Sequence, residues 1–226
     1  MATEFLELIE LDESRDLAAG DVGIWLDEMS RALDEPGEMR VPCGSCNACC
    51  RSAYFIHIGA GEVETLARIP RALLVPAPGR PEDRVMGFDE RGHCPMLVGD
   101  ACSIYPQRPL TCRRFDCRVF AAAGVDPSED GKTEVAARTR RWRFDYARAH
   151  DRRRHAAVVT AARLLDENRR QLGRAAPANR TQQAVQAVAC HEAVLELADE
   201  AAATGKRPGE QAILAAIRPA DPDQAP

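Results

Sequence analysis

Cys43-Gly44-Ser45-Cys46-Asn47-Ala48-Cys49-Cys50 is the stretch whose reading decides how this chain is organised. Three cysteines recur at three-residue steps and a fourth follows directly. Four more come at Cys94, Cys102, Cys112 and Cys117, while Cys190 stands apart. Thiolates at two-residue gaps are how a chain wraps a metal ion or an iron–sulfur cluster, because a tight turn can aim several soft anionic donors at one centre. Side chains of adjacent residues diverge on a helix or a strand. Cys49 and Cys50 are therefore expected to serve different centres, with Cys50 free to join the downstream thiols. Two four-thiolate centres, a cluster plus a zinc, and one centre with four spare cysteines all fit the spacing. Whichever forms, four thiolates leave it negatively charged, and nearby cations and hydrogen-bond donors favour it. Arg51, Arg108, Arg113, Arg114 and Arg118 lie beside the cysteines in sequence.

Working outward, the cysteine-rich region is expected to span 40–125, between an acidic helical segment at 1–39 and a helical extension at 126–226. The fold class expected is α+β, mostly α, with an irregular metal-organised core and short strands. With 226 residues, 45% of them hydrophobic, the chain can bury one sizeable core or support a small metal domain with a helical extension. In the first segment, Val22, Trp25, Leu26, Met29 and Leu33 recur at helical steps behind Asp21, a candidate N-cap, and Glu35-Pro36-Gly37 ends the run. In the second, Ala53–Ile58 reads as a strand, 62–69 as a helix and 70–81 as a proline-rich loop. Val85–Phe88 and Pro95–Val98 read as a hairpin around Asp89-Glu90-Arg91-Gly92. In the third, Val158, Ala162 and Leu165 form one helical stripe. Val185, Val188 and Leu195 mark another helix behind Asn179, and a short helix should start near Pro208. A frayed tail is expected at 221–226.

The amino terminus is acidic, with no cationic segment followed by an apolar one, and no apolar run approaches the length that crosses a bilayer. A cytoplasmic location is expected, where thiols stay reduced and dense cysteines hold metal rather than disulfides. The net charge of −5 argues against a binder of nucleic acid through general basicity.

The run C-G-S-C-N-A-C-C, followed by G-H-C-P-M-L-V-G-D-A-C-S-I-Y-P-Q-R-P-L-T-C-R-R-F-D-C, resembles the YkgJ family of cysteine-cluster proteins, described as zinc- or iron-chelating. The resemblance covers about residues 43–118. It implies that Cys43, Cys46, Cys49, Cys50, Cys94, Cys102, Cys112 and Cys117 are metal ligands. It also implies that Tyr105, Arg108, Pro109, Arg113 and Phe115 belong to the family signature. A similar cluster occurs in flagellin lysine-N-methylases, which implies an enzymatic alternative: an iron–sulfur protein for electron transfer or protein modification.

Other residues invite weaker readings. His93 neighbours Cys94 and could ligate, but eight thiols already suffice. His57 reads as a structural histidine, and His150 and His155 as solvent-facing. Cys190 shares a helical stripe with Val194 and Leu197, so it reads as core rather than ligand. Arg138–Arg154 carries eight arginines interleaved with Trp142, Phe144 and Tyr146. That pattern suits stacking on bases in a zinc-built nucleic-acid module. It also suits an amphipathic helix with aromatics inward, docked on the acidic N-terminal segment. G-x-S-x-G, Walker A and G-x-G-x-x-G motifs are absent from the sequence. The expectation is a metal-binding protein holding zinc, an iron–sulfur cluster or both, with no catalytic residue to name and no membrane partner.

Overall fold

The computed structural model describes residues 16–34 and 37–218. The charge pattern of the first fifteen residues, the Glu35-Pro36 helix stop and the tail at 221–226 lie outside the described residues. In chain order, strand β1 (Leu17–Asp21) leads into helix α1 (Val22–Asp34). The cysteine loop follows, then β2 (Ile56–Ile58), α2 (Val63–Arg68), β3 (Leu74–Ala77), β4 (Arg80–Met86), β5 (Leu97–Val98) and β6 (Ala101–Cys102). Helices α3 (Leu110–Arg114), α4 (Arg118–Ala123) and α5 (Thr133–Thr139) precede β7 (Trp142–Asp145). The chain closes with α6 (Ala149–Glu167), α7 (Arg169–Leu172), α8 (Arg180–Ala189), α9 (His191–Thr204) and α10 (Glu210–Ile217). The protein is thus α+β and mostly helical, as the sequence predicts.

Asp21 caps α1: its Oδ1 accepts from the Ile24 amide at 3.0 Å and its Oδ2 from the Ala147 amide at 2.8 Å. Those amides, with Ile24 first, hold its carboxyl below the usual carboxylate range. Val22, Trp25, Leu26 and Met29 are buried as the periodicity demands, whereas Leu33 is exposed. Asn179 likewise caps α8, its Oδ1 accepting from Gln182 N at 2.9 Å.

Several expectations fail, among them the single helix through Val185, Val188 and Leu195, which breaks at Cys190 into α8 and α9. The segment from Thr139 to His155 is not one amphipathic helix. Trp142–Asp145 is a strand, β7, pairing in parallel with β1, and α6 begins only at Ala149. Trp142, Phe144 and Tyr146 alternate with polar residues, and in the short ladder that period of two prevails over helix propensity. Another failure is the hairpin around Asp89–Gly92. Asp89 closes that loop on itself, its Oδ1 accepting from the amides of Arg91 and His93, both at 2.9 Å. The chain then leaves towards the cysteine loop. The pairings that form are β3 and β2 on either side of β4, and β5 with β6. The proline-rich stretch therefore holds a hairpin, turned at Pro78-Gly79 with Gly79 at φ 75°, a backbone region glycine enters at little steric cost.

Two cores result. The larger joins α1, α4, α6, α8, α9 and α10 around Trp25, Leu26, Phe120, Val158, Leu165, Val188 and Ile217. The smaller lies within the sheet and hairpin region around Ile58, Ile69, Met86, Met96 and Ile104, with Cys94 and Cys102 packed against it. Cys117 belongs to the larger core.

Candidate metal centre

The first four cysteines sit on a compact loop. Cys46 N donates to Cys43 O at 3.0 Å across a turn whose Gly44 has φ 58°. Cys49 and Cys50 ride a 3-10 turn over Ala48–Arg51. The second run is brought to this loop by its backbone: Cys94 N donates to Cys50 O at 2.7 Å. The β5–β6 hairpin sets Cys102 opposite Leu97, and Leu97 N bonds back to Cys94 O at 2.9 Å. Cys112 rides α3, whose first amide, Leu110 N, donates to Glu62 Oε2 at 2.6 Å. Cys117 is buried at the start of α4.

All nine cysteines are free thiols. The eight clustered ones act on one another across the two runs. The Cys43 thiol is pushed up to about 11, first by desolvation and then by Cys49 and Cys46. Cys112 rises to about 12 through desolvation, then Cys49, Cys94 and Cys102. Cys117 rises to about 12 by burial, with Asp116, Cys43 and Cys46 adding to the shift. Burial raises Cys94, and the Cys102 and Cys49 thiols contribute. Cys49 is raised furthest, first by a hydrogen bond with the Cys50 thiol and then by desolvation. Both residues lie on the 3-10 turn, which does not impose the side-chain separation of a helix or a strand. The charge of Cys49 bears on Cys43 in the first run and on Cys94 and Cys112 in the second.

Around Cys117 the polar structure is dense. Asp116 and Arg118 form a buried ion pair at 2.7 Å. Arg118 also donates to Ala19 O at 2.8 Å and Arg40 O at 3.0 Å, and Trp25 Nε1 donates to Asp116 Oδ2 at 2.8 Å. Ala19 is free to accept because the β1–β7 ladder skips it between Ala18 and Gly20, a bulge that leaves its carbonyl unpaired by β7. Trp142 Nε1 donates to Cys117 Sγ at 3.2 Å. Arg138 stacks over the Trp142 ring at 4.9 Å and donates to Cys43 O at 3.2 Å, and its charge favours the Cys43 thiolate. None of these contacts was read from the sequence.

The arginines singled out earlier behave differently. Arg51 pairs with Asp100, Arg113 with Glu38 and Arg118 with Asp116, so they serve carboxylates. Arg108 acts on Cys112 through its charge. In the arginine-rich segment, Arg140 pairs with Asp126, Arg143 with Asp16, Arg153 with Asp199 and Arg154 with Asp27. Asp16, Asp27 and Glu38 do dock the acidic segment on arginines, from three separate elements rather than one helix face. His57 pairs with Asp83 at 3.1 Å. His155 does not face solvent: it stacks on Tyr146, which bonds to its Nδ1 at 2.6 Å, and lies edge-on to Phe144. Cys190 is buried in the larger core.

Among the described residues, no group of three or more His, Cys, Asp or Glu side chains is arranged so that it could hold a metal ion. The donor set nevertheless fits zinc or iron by its chemistry, since eight thiols, none in a disulfide, lie on two runs joined where Cys94 N donates to Cys50 O. Residues 42–139 match the family model CxxCxxCC, a "putative zinc- or iron-chelating domain". It is the cysteine-cluster family that the sequence resembles, and the match supports metal binding by this region. No curated protein and no solved structure matches the chain. No helix among the described residues is long and apolar enough to cross a membrane.

Proposed function

We propose that this protein holds zinc or an iron–sulfur cluster through all eight clustered cysteines, in two four-thiolate centres. Cys43, Cys46, Cys49 and Cys117 would form the first. Cys50, Cys94, Cys102 and Cys112 would form the second. Two geometric observations support this division: the Cys94 amide donates to Cys50 O at 2.7 Å, beside the downstream run, and Trp142 donates to Cys117 Sγ while Arg138 over its ring donates to Cys43 O, which brings Cys117 to the first run. Bound metal would cross-link loop, hairpin and helix, supplying folding energy that the irregular backbone lacks. The chain's own residues orient the thiols. The Cys94–Cys50 backbone bond docks the two runs, Glu62 holds the start of α3, and the Asp116–Arg118 pair fixes the approach to α4. Buried thiols that keep their protons to about pH 11–12 must release them to bind metal, so affinity should fall steeply on acidification. A cytoplasmic site of action follows from the need to keep eight thiols reduced.

The test is anaerobic purification followed by metal analysis and an absorption spectrum. One or more equivalents of zinc, or iron with sulfide and visible colour, is expected; less than half an equivalent of both would sink the reading. Cys46→Ala and Cys102→Ala should each remove one centre and spare the other. If either empties both, the division into two is wrong. Reducible iron would favour the electron-transfer alternative, whereas colourless zinc-only protein would end it.

A further inference from the structure

We propose that Trp142 is a positioning residue of the Cys117 centre: its indole N–H, fixed 3.2 Å from Cys117 Sγ, is the hydrogen-bond donor that this sulfur keeps as a metal-bound thiolate. The inference rests on the metal reading above and concerns a residue beyond the matched domain, which ends at residue 139.

An indole N–H can only donate, and a buried one needs an acceptor. Trp142 is buried, and Cys117 Sγ is the acceptor it has. The ring is held by its burial, and its backbone is pinned in the β1–β7 ladder opposite Leu17, whose amide donates to Arg141 O at 2.7 Å. Arg138 covers the ring face. The donor also acts in the direction a ligand needs, since an N–H aimed at sulfur favours its anion. Outer donors of this kind hold a ligand's orientation and draw charge from the metal–sulfur bond. Arg138 extends the arrangement. Its Nη2 holds the Cys43 carbonyl, while its buried Nε has no hydrogen-bond partner among the described residues. The chain's other tryptophan supplies an internal control, because Trp25 gives its indole N–H to Asp116, the residue just before Cys117.

The test uses full-length protein loaded with cobalt(II) or cadmium-113, in wild-type, Trp142→Phe and Trp25→Phe forms. Phenylalanine keeps a ring and removes the donor. Trp142→Phe should move the sulfur-to-cobalt charge-transfer band to lower energy and weaken zinc binding about tenfold. Trp25→Phe, which removes the donor to Asp116 rather than to the sulfur, should lower stability and move the band less than Trp142→Phe does. If Trp142→Phe folds and neither band nor affinity changes, the assignment is overturned. If it does not fold, nitrogen-15 indole spectra of Trp25→Phe, where Trp142 is the sole tryptophan, decide the matter. Its N–H peak should shift on loading and show splitting from cadmium-113; a peak neither moved nor split overturns the proposal. Failure of wild-type protein to take up any metal would instead overturn the functional reading, and this assignment with it.

Discussion

Asp116 and Arg118 flank Cys117 and bury opposite charges beside it, with side chains 0% and 7% exposed. Removing one partner strands the other's charge, so Asp116→Asn or Arg118→Met should each cost about 3–5 kcal/mol, measured as a drop in the urea midpoint at constant slope. A loss under 1 kcal/mol would mean that water reaches the pair. Gly23 offers a case where two effects oppose. Alanine is the better helix former by about 1 kcal/mol. A Cβ at position 23 would however lie 2.5 Å from Asp151 Oδ1 and 2.7 Å from its Cγ, on a side chain that is itself buried. Overpacking of that kind costs about 1–3 kcal/mol, so Gly23→Ala should lower the melting temperature; a rise would show that Asp151 moves aside freely. Single residues were unevenly legible. The cysteines announced themselves because no other role explains eight of them so closely spaced. Trp142 did not, because a sulfur contact depends on where two distant segments meet.

Among the elements, those with side-chain caps were readable. Asp21 before α1 and Asn179 before α8 do in three dimensions what their places in the sequence suggest. Asn179→Ala should therefore cost about 1 kcal/mol, and a thermal melt that shows no change would argue that Gln182 N finds another acceptor. The strands were harder. β7 was hidden by arginines that gave helical spacing to T-R-R-W-R-F-D-Y, although the alternation of Trp142, Phe144 and Tyr146 was there to be seen. That alternation has structural meaning, since Phe144 packs 5.1 Å from the Trp25 ring on α1. β1 carried no signal at all: Leu-Ala-Ala-Gly-Asp becomes a strand only because β7 lies beside it. The false hairpin at Asp89 has the same lesson, because side-chain bonds within the turn outweighed any pairing across it.

At the scale of the whole molecule, the helical core and the metal region should separate in their dependence on metal. Chelation should strip hydrogen-exchange protection from residues 43–112 while α6, α8 and α9 keep theirs through the larger core. Uniform loss everywhere would show that metal holds the entire fold. The metal-free protein should also be sensitive to alkali. Cys43, Cys112, Cys117 and Cys190 hold their protons more tightly folded, to about 11, 12, 12 and 11, than the ordinary value of 9.0. Folded-state pKa values raised in this way leave stability intact below about pH 9 and erode it as pH climbs towards 12. Metal-loaded protein should resist that erosion at Cys43, Cys112 and Cys117. Equal alkaline loss with and without metal would show that the clustered thiols are not its ligands.

The ladder between Leu17 and Trp142 also fixes an order of events during synthesis. Its two strands are some 125 residues apart, so β1 leaves the ribosome about 6–25 s before its partner does. Every clustered cysteine emerges within that interval. Every nascent cysteine of the cluster therefore leaves the ribosome ahead of the indole that donates to Cys117.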